Sequence, residues 1–234
     1  MNLIVQAKNF LLGSKEDIDS LSEKENVSIL AVSDTHGNSS ILKKIIENFP
    51  DKDLFAFLGD GISDVVSLLE SLKKNKKLLK IFPPVAAIVC GNGDDDSYPV
   101  TFNPSEEKKS KNDYEIKIPK ILNLRAAKTN VLLTHGHVFG VYYGMNGIEQ
   151  QASIDRADLV LYGHTHIAAR SNSASTTFIN PGSCTLPRRG LPPSFALINI
   201  FSGLKKIECT FFKIKISLTE GISFIPFSPA VQNW

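Results

Sequence analysis

Cysteine is nearly missing from this chain. Its three copies, Cys90, Cys184 and Cys209, are odd in number, far apart and in no C-x-x-C spacing. They read as packing residues in a reducing compartment rather than as a disulfide frame or a thiolate zinc site. Long apolar runs are also lacking, and none reaches the roughly 18 to 20 residues of a membrane span. The opening MNLIVQAKNFLLG carries Lys8 inside its apolar stretch and has no small-residue exit, so it makes a poor secretory signal. A cytoplasmic protein without a membrane partner is expected. Charge of one sign is lacking too: 26 Lys and Arg against 24 Asp and Glu leave a formal charge of +2. That is not the basic footprint of a phosphate-backbone binder, so no obligate nucleic-acid partner is expected. A homo-oligomer is left open.

What is present suits one sizeable core: 234 residues, 42% hydrophobic and 21% charged. Residues 1–26 set Ile4, Leu11, Leu12, Ile18 and Leu21 among charges, as a short amphipathic helix or a loosely held arm would. From Val27 onward, short apolar runs recur, each closed by Gly, Asp, Asn or His. They are VSILAV before SDTHGN, LFAFL before GDG, VAAIV before CGNGD, VLL before THGH and LVLY before GHTH. Between them, SSILKKIIENF and SDVVSLLESLKKNKKLLK have helical spacing, with Ser63 as a candidate cap of the second. Continuous apolar strands alternating with amphipathic helices predict an α/β fold with a parallel or mixed sheet covered by helices. After about residue 170 the pattern turns strand-like in TTFIN, SFALINIF and KKIECTFFKIKIS. The polar segment 103–115 reads as an exposed loop, and the Lys-rich stretch 72–80 as the wet face and end of a helix. The expected division is an arm at 1–26, a main domain at 27–215 and a tail at 216–234.

Histidine is scarce as well, and its placement is the informative part. All five copies, His36, His135, His137, His164 and His166, lie just past the ends of these runs. Asp34, Asp60 and Asn92 occupy the corresponding places in the other motifs. Loops beyond the carboxyl ends of strands in open α/β sheets converge on one crevice. In D-x-H and H-x-H, alternate side chains of an extended backbone point to one side, so each pair offers two ligands to a small volume. Imidazole, carboxylate and amide donors without thiolate suit Mn²⁺, Fe²⁺, Zn²⁺ or Ni²⁺. Seven donors exceed what one tetrahedral ion takes, so two ions sharing a carboxylate are expected.

SDTHGN, GDG, the G-N-G-D of CGNGD, THGH, GHTH and NPGS, in this order, resemble the calcineurin-like metallophosphoesterase superfamily and, within it, its YfcE-type phosphodiesterases. The resemblance covers roughly residues 27–210. It implies a four-layer αββα sandwich of mixed sheets with flanking helices. It implies one metal on Asp34, His36, Asp60 and His166, and a second on Asp60, Asn92, His135 and His164, with manganese as the expected ion. It also implies the reaction: two cations lower the pKa of a shared water, and the resulting hydroxide attacks phosphorus of a small phosphodiester in line.

One departure stands out. Where much of the family continues the G-N motif with a catalytic histidine, and YfcE-type members commonly with cysteine, this chain has Gly93. General acid help worth about 10²- to 10⁴-fold is then absent or supplied otherwise, and substrates with good leaving groups are favoured. His137 and Asp94, with Asp95 and Asp96, are candidates for partial compensation: His137 would orient a ligand or face the substrate, and the acids would hydrogen-bond ligating imidazoles. Separately, Arg188 and Arg189 would steer phosphate by charge. Asn180–Ser183, the NPGS segment, is expected to make a tight turn that supports the metal loops. The competing reading is a scaffold resembling the retromer subunit Vps29, binding partner proteins through a metal site not used in catalysis.

Overall fold

In the run Asn26–Val32, side chains divide by period two. Val27, Ile29 and Ala31 enter one apolar cluster while Leu30 and Val32 enter another, none more than 1% exposed. A strand buried on both faces has no polar side to show, which is why these runs read as continuously apolar.

The computed structural model describes residues 5–101, 114–217, 219 and 221–229. The first elements are β1 (Leu12–Gly13), α1 (Lys15–Glu23), β2 (Asn26–Val32), α2 (Ser39–Asn48), β3 (Leu54–Phe57), α3 (Ile62–Lys74), α4 (Lys76–Ile81) and β4 (Val85–Ile88). A hairpin of β5 (Ser97–Val100) and β6 (Tyr114–Lys117) follows. Then come β7 (Ile121–Ala126), β8 (Thr129–Thr134), a 3-10 turn at His137–Phe139, α5 (Asn146–Ile154) and β9 (Leu159–Leu161). The remaining described strands are β10 (Ala169–Ser173), β11 (Thr176–Asn180), β12 (Ser194–Phe201), β13 (Lys206–Ser217) and β14 (Gly221–Phe227).

One sheet of seven strands has the order β1-β4-β3-β2-β12-β13-β14, and a second of five has β10-β11-β9-β8-β7. Within the first, β2, β3 and β4 are parallel; within the second, β8, β9 and β11 are. Parallel neighbours need crossovers; helices supply those between β2 and β3, β3 and β4, and β8 and β9, whereas β9 reaches β11 through β10. Helices α2 to α4 bury Ile41, Leu42, Ile45, Ile46, Val65, Leu68, Leu69, Leu72 and Leu78 against Leu30, Val32, Phe55, Phe57 and Ile88. Helix α5 buries Ile148 and Ala152 against Leu132, Val160 and Phe178 on the outer face of the second sheet. Between the sheets, Ile29, Ala31, Leu54, Ala56, Val85 and Ala87 meet Val131, Leu133, Leu159, Leu161 and Ile179. The result is the expected four-layer αββα sandwich of mixed sheets.

Several local expectations need correction. The stretch 63–80 is two helices, because Asn75 ends α3 and its side chain caps α4 by accepting from the Leu78 N–H. Ser63 does not cap α3; it lies within the first turn, and the cap is Gly61, which has no capping side chain of its own. Helix α5 has no counterpart in the sequence reading. Of the polar segment 103–115, residues 103–113 lie outside the described residues, and Tyr114 and Glu115 open β6.

Among the described residues before position 27, β1 and α1 pack on the domain. Leu12 pairs with Ala86 at the edge of the first sheet, and Leu21 of α1 is 1% exposed in the cluster between the sheets. Backbone N–H groups of Ala127 and Lys128 donate to the carbonyls of Leu21 and Ser22 at 2.8 and 3.0 Å. At the other end, β14 continues the sheet, and Phe224 packs edge-on to Phe49 and Phe195 with ring centroids 5.4 and 5.5 Å apart. Leu21→Ala is expected to lower the unfolding free energy by about 2–5 kcal/mol, read from urea denaturation. A loss under about 0.5 kcal/mol, as at a surface position, would show that α1 is not part of the core.

Candidate metal centre

Strands β2, β3 and β4 of one sheet and β8 and β9 of the other end on the same side, and the loops that follow them are stitched together. The Asp34 N–H donates to Gly59 O at 2.9 Å, His36 N–H to Asp60 O at 3.2 Å, and Gly163 N–H to His135 O at 3.1 Å. The backbone here is not extended. Asp34, His36, Asp60, His164 and His166 have φ of 56°, 45°, 55°, 68° and 61°. This corrects the extended-strand account of D-x-H and H-x-H: both members of each pair take a left-handed conformation that Thr35 and Thr165 between them do not. Non-glycine residues in that region are uncommon and held only where surroundings over-determine them.

Asp34, His36, Asp60 and His166 each bring a ligand atom within 4.8 Å of the others. Asp34 is fully buried; its Oδ2 accepts from Ser33 Oγ, but Oδ1 has no hydrogen-bond partner among the described residues. Around that orphan oxygen stand three imidazole nitrogens, Nε2 of His166 at 3.1 Å, of His36 at 3.9 Å and of His135 at 4.0 Å. A buried carboxylate oxygen without a donor is costly, and a cation is the simplest group that would satisfy it.

The ring tautomers point the same way. His135 Nδ1 lies 2.6 Å from Leu58 O and His166 Nδ1 lies 2.6 Å from Leu186 O, contacts only an N–H can make. In the neutral rings both Nε2 atoms are then left as lone pairs aimed inward, as in imidazoles that bind metals. His36 Nε2 is 3.1 Å from His166 Nε2, and His164 Nδ1 is 3.3 Å from His135 Nε2. His135 Nε2 also lies 3.6 Å from Asp60 Oδ2, which links the two groups through Asp60. Asn92 is exposed, between Gly91 and Gly93, which both lie against Asp60; the Gly93 N–H donates to Asp60 Oδ1 at 2.8 Å. A Cβ at Gly91 would land on the Asp60 carboxylate, so this approach needs glycine.

Asp94 acts differently from expectation. Its carboxylate accepts from four backbone N–H groups: Asp60 at 2.6 Å, Gly61 and Ile62 at 2.9 Å, and Gly91 at 3.0 Å. It caps α3 from another loop and fixes Asp60 through the backbone, with no imidazole involved. Asp64, which the sequence reading missed, does the same for the first motif, accepting from Thr35 Oγ1 and from the Gly37 N–H at 3.0 Å. Its signal was available: Asp64, Leu68 and Leu72 form one buried stripe of α3, where a carboxylate has no place without partners. Asn180 donates to Gly163 O and Thr165 Oγ1, and Ser183 Oγ to Asp34 O at 2.7 Å, so the NPGS turn does hold the flanking loops.

The Nδ1 of His137 is buried and without a hydrogen bond among the described residues, and its ring lies 5.5 Å from that of His135. Arg188 is exposed beside the cluster, its backbone N–H donating to His166 O at 3.2 Å. Burial opposes charge on Asp60, His135 and His166, yet neighbouring charges and hydrogen bonds overcome it. Against burial, the neighbouring His135, the Gly93 N–H and His36 hold Asp60 well below the usual carboxylate range. Against burial, Asp60, Asp34 and the Leu58 carbonyl raise His135, and Asp34 with the Leu186 carbonyl raises His166. Burial and the charge of His135 lower His164 and His137. In the metal-free chain, therefore, the two raised histidines contribute stability below about pH 6.5 that is lost as pH rises through their folded values. Asp60 contributes stability above about pH 4 that is lost as pH falls.

Known proteins resemble this chain in sequence and in fold. Over 113 residues the chain is 29% identical to the probable metallophosphoesterase YsnB of Bacillus subtilis, covering 48% of this chain and 67% of YsnB. Over 72 residues it is 32% identical to the phosphodiesterase YfcE of Escherichia coli, covering 31% of this chain and 35% of YfcE. Among solved structures, Vacuolar Protein Sorting 29 from Cryptosporidium parvum superposes with a TM-score of 0.55 at 20% identity, over 88% of this chain and all (100%) of that one. No helix of the described residues is long and apolar enough to cross a membrane. The family model of the calcineurin-like phosphoesterase superfamily domain matches residues 27–203, and the chain belongs to that superfamily.

Proposed function

We propose that this chain is a divalent-metal-dependent phosphodiesterase with a dinuclear centre. Asp34, His36, Asp60 and His166 hold one ion, and Asp60, Asn92, His135 and His164 the other. The observation that carries the reading is Asp34 Oδ1, buried, without a donor and surrounded by imidazole nitrogens. Manganese is the proposed ion; nickel, iron and zinc suit the same donors. When bound, the pair supplies Lewis-acid polarisation of the phosphoryl group and a nucleophile drawn from water. The relatives named phosphodiesterase and metallophosphoesterase support the reaction class, and a small diester of the cytoplasm is the proposed substrate.

The chain's own residues do the rest. Leu58 O and Leu186 O fix His135 and His166 with Nε2 inward, which a ligand must present without rearranging. Asp60 stands between the two groups, and Asp94 sets its height by gripping the amides on both sides of the gap. At Gly93 no side chain reaches the leaving oxygen, so the departing alkoxide leaves without an imidazole proton from that position. The exposed Arg188 adds positive charge beside His166.

The fold likeness to Vps29, at 20% identity, speaks for architecture alone, and a protein-binding scaffold is the second reading. Activity separates the two. With Mn²⁺ or Ni²⁺ the purified chain is expected to hydrolyse bis(p-nitrophenyl) phosphate faster than p-nitrophenyl phosphate. Two bound ions by elemental analysis without turnover on any divalent metal would sink the enzyme and favour the scaffold. Asp60→Ala is expected to lose both ions; retention of one tightly bound ion would show that Asp60 does not bridge. A Cβ at Gly93 would sit 3.3 Å from Asp60 Oδ1 at an ordinary φ, so a side chain enters if the carboxylate yields a few tenths of an ångström. Gly93→His is accordingly expected to speed diesters with poor leaving groups by about tenfold or more relative to bis(p-nitrophenyl) phosphate. An unchanged leaving-group dependence would count against a missing acid at this position.

A further inference from the structure

Two tyrosines stand beside the cluster with their rings largely open to solvent. Tyr143 is 95% exposed and Tyr142 52%, although the domain's other large aromatics are mostly taken into its core. They follow the 3-10 turn that begins at His137. The Tyr142 ring stands edge-on to the His164 ring at 6.3 Å, and Tyr143 lies one ring further out, 5.9 Å from Tyr142. The segment after the NPGS turn also reaches this place. Its Arg188 lays the guanidinium over the Tyr142 ring, 5.5 Å from the centroid, while its backbone is tied to His166. Two loops from different parts of the chain thus deliver a cation and an open aromatic face to the same side of the His164–His166 segment.

These two chemistries match the two parts of one ligand. A guanidinium pairs with phosphate oxygens in a planar, two-point contact, and its position is set here by its contact with Tyr142. An exposed phenol face is poorly used by water but stacks any flat ring, and stacking of a base on an aromatic side chain is worth about 1–3 kcal/mol. A simple alkyl ester would engage Arg188 and leave the tyrosines idle. We propose that this site selects phosphate esters that carry an aromatic group, a nucleoside or an aryl ester. The ring stacks on Tyr143 beside Tyr142, and Arg188 meets the phosphate. The proposal builds on the phosphodiesterase reading but concerns recognition, so binding can test it apart from turnover.

The test is calorimetric titration of the full chain, in Mn²⁺, with thymidine 5′-monophosphate and with methyl phosphate, which share a phosphate and differ in the nucleoside. The nucleotide is expected to bind about tenfold more tightly, the low end of what one stacked base is worth. Both rings being exposed, Tyr142→Ala and Tyr143→Ala should fold, and the double variant should bring the two ligands to within about twofold of each other. Arg188→Ala should weaken both ligands and keep most of their ratio. Equal binding of the two ligands by the unaltered chain would overturn the proposal, as would a preference that survives loss of both rings and therefore comes from elsewhere. A nucleotide preference that depends on the tyrosines, in a protein that hydrolyses no diester, would uphold the aromatic site and sink only the phosphodiesterase reading. With an active protein, thymidine 5′-(p-nitrophenyl phosphate) should exceed methyl p-nitrophenyl phosphate in kcat/KM, the leaving group being the same, and lose that lead in the double variant.

Discussion

Taking a carboxylate out of water carries a penalty of several kcal/mol unless opposite charge and hydrogen bonds replace the solvent. In this molecule Asp34 is fully buried and Asp60 nearly so, side by side where two sheets end. Much of the surrounding structure can be understood as the compensation for that burial. Ser33 and the Gly93 N–H take one oxygen of each carboxylate. The imidazoles face the other oxygens, and carbonyl groups hold two of those rings in place. Asp34 Oδ1 faces imidazole nitrogens yet has no hydrogen-bond partner among the described residues, and a cation would satisfy it.

Such a centre demands that side chains from distant loops be held to a few tenths of an ångström. Two carboxylates that never enter it supply much of the rigidity. Asp94 and Asp64 accept backbone N–H groups of the loops that carry Asp60 and His36, so the ligand positions are set by main chain rather than by side-chain packing. Bonds from amides to an ionised acceptor are among the stronger ones available and have no rotamer to lose on the donor side. The left-handed backbone at His36 and Asp60 is kept in place by this framework, and that at His164 and His166 by Asn180.

The legible part of the sequence was the part written in side-chain chemistry. Five histidines and two aspartates behind apolar runs declared where the strands end, and double-sided burial of β2, β3 and β4 made those runs unmistakable. Residues that act through the backbone left little trace. Asp94 looked like one of three equivalent acids, since accepting amides demands nothing of its neighbours' identity. Ser63 resembled a cap because capping residues are read by type, whereas the real acceptor for that helix end, Asp94, lies 32 residues beyond Ile62. Helix α5 was missed because Asn146–Ile154 buries only Ile148 and Ala152, too few apolar positions to show a period. Tyr142 and Tyr143 carry no motif at all, and only their place beside His164 gives them meaning.

The separation of the paired groups along the chain has a bearing on how the protein is born. His36 and His166 stand in contact yet are 130 residues apart, and they ride on different sheets. Contacts of that span form late, after the closure entropy of the intervening chain has been overcome. During synthesis the first sheet can assemble its parallel strands while the second is still emerging, with Asp34 and Asp60 facing water across an absent neighbour. Their burial, and any ion taken up there, belongs to the moment when the two sheets dock, so occupancy of the centre would mark a finished molecule.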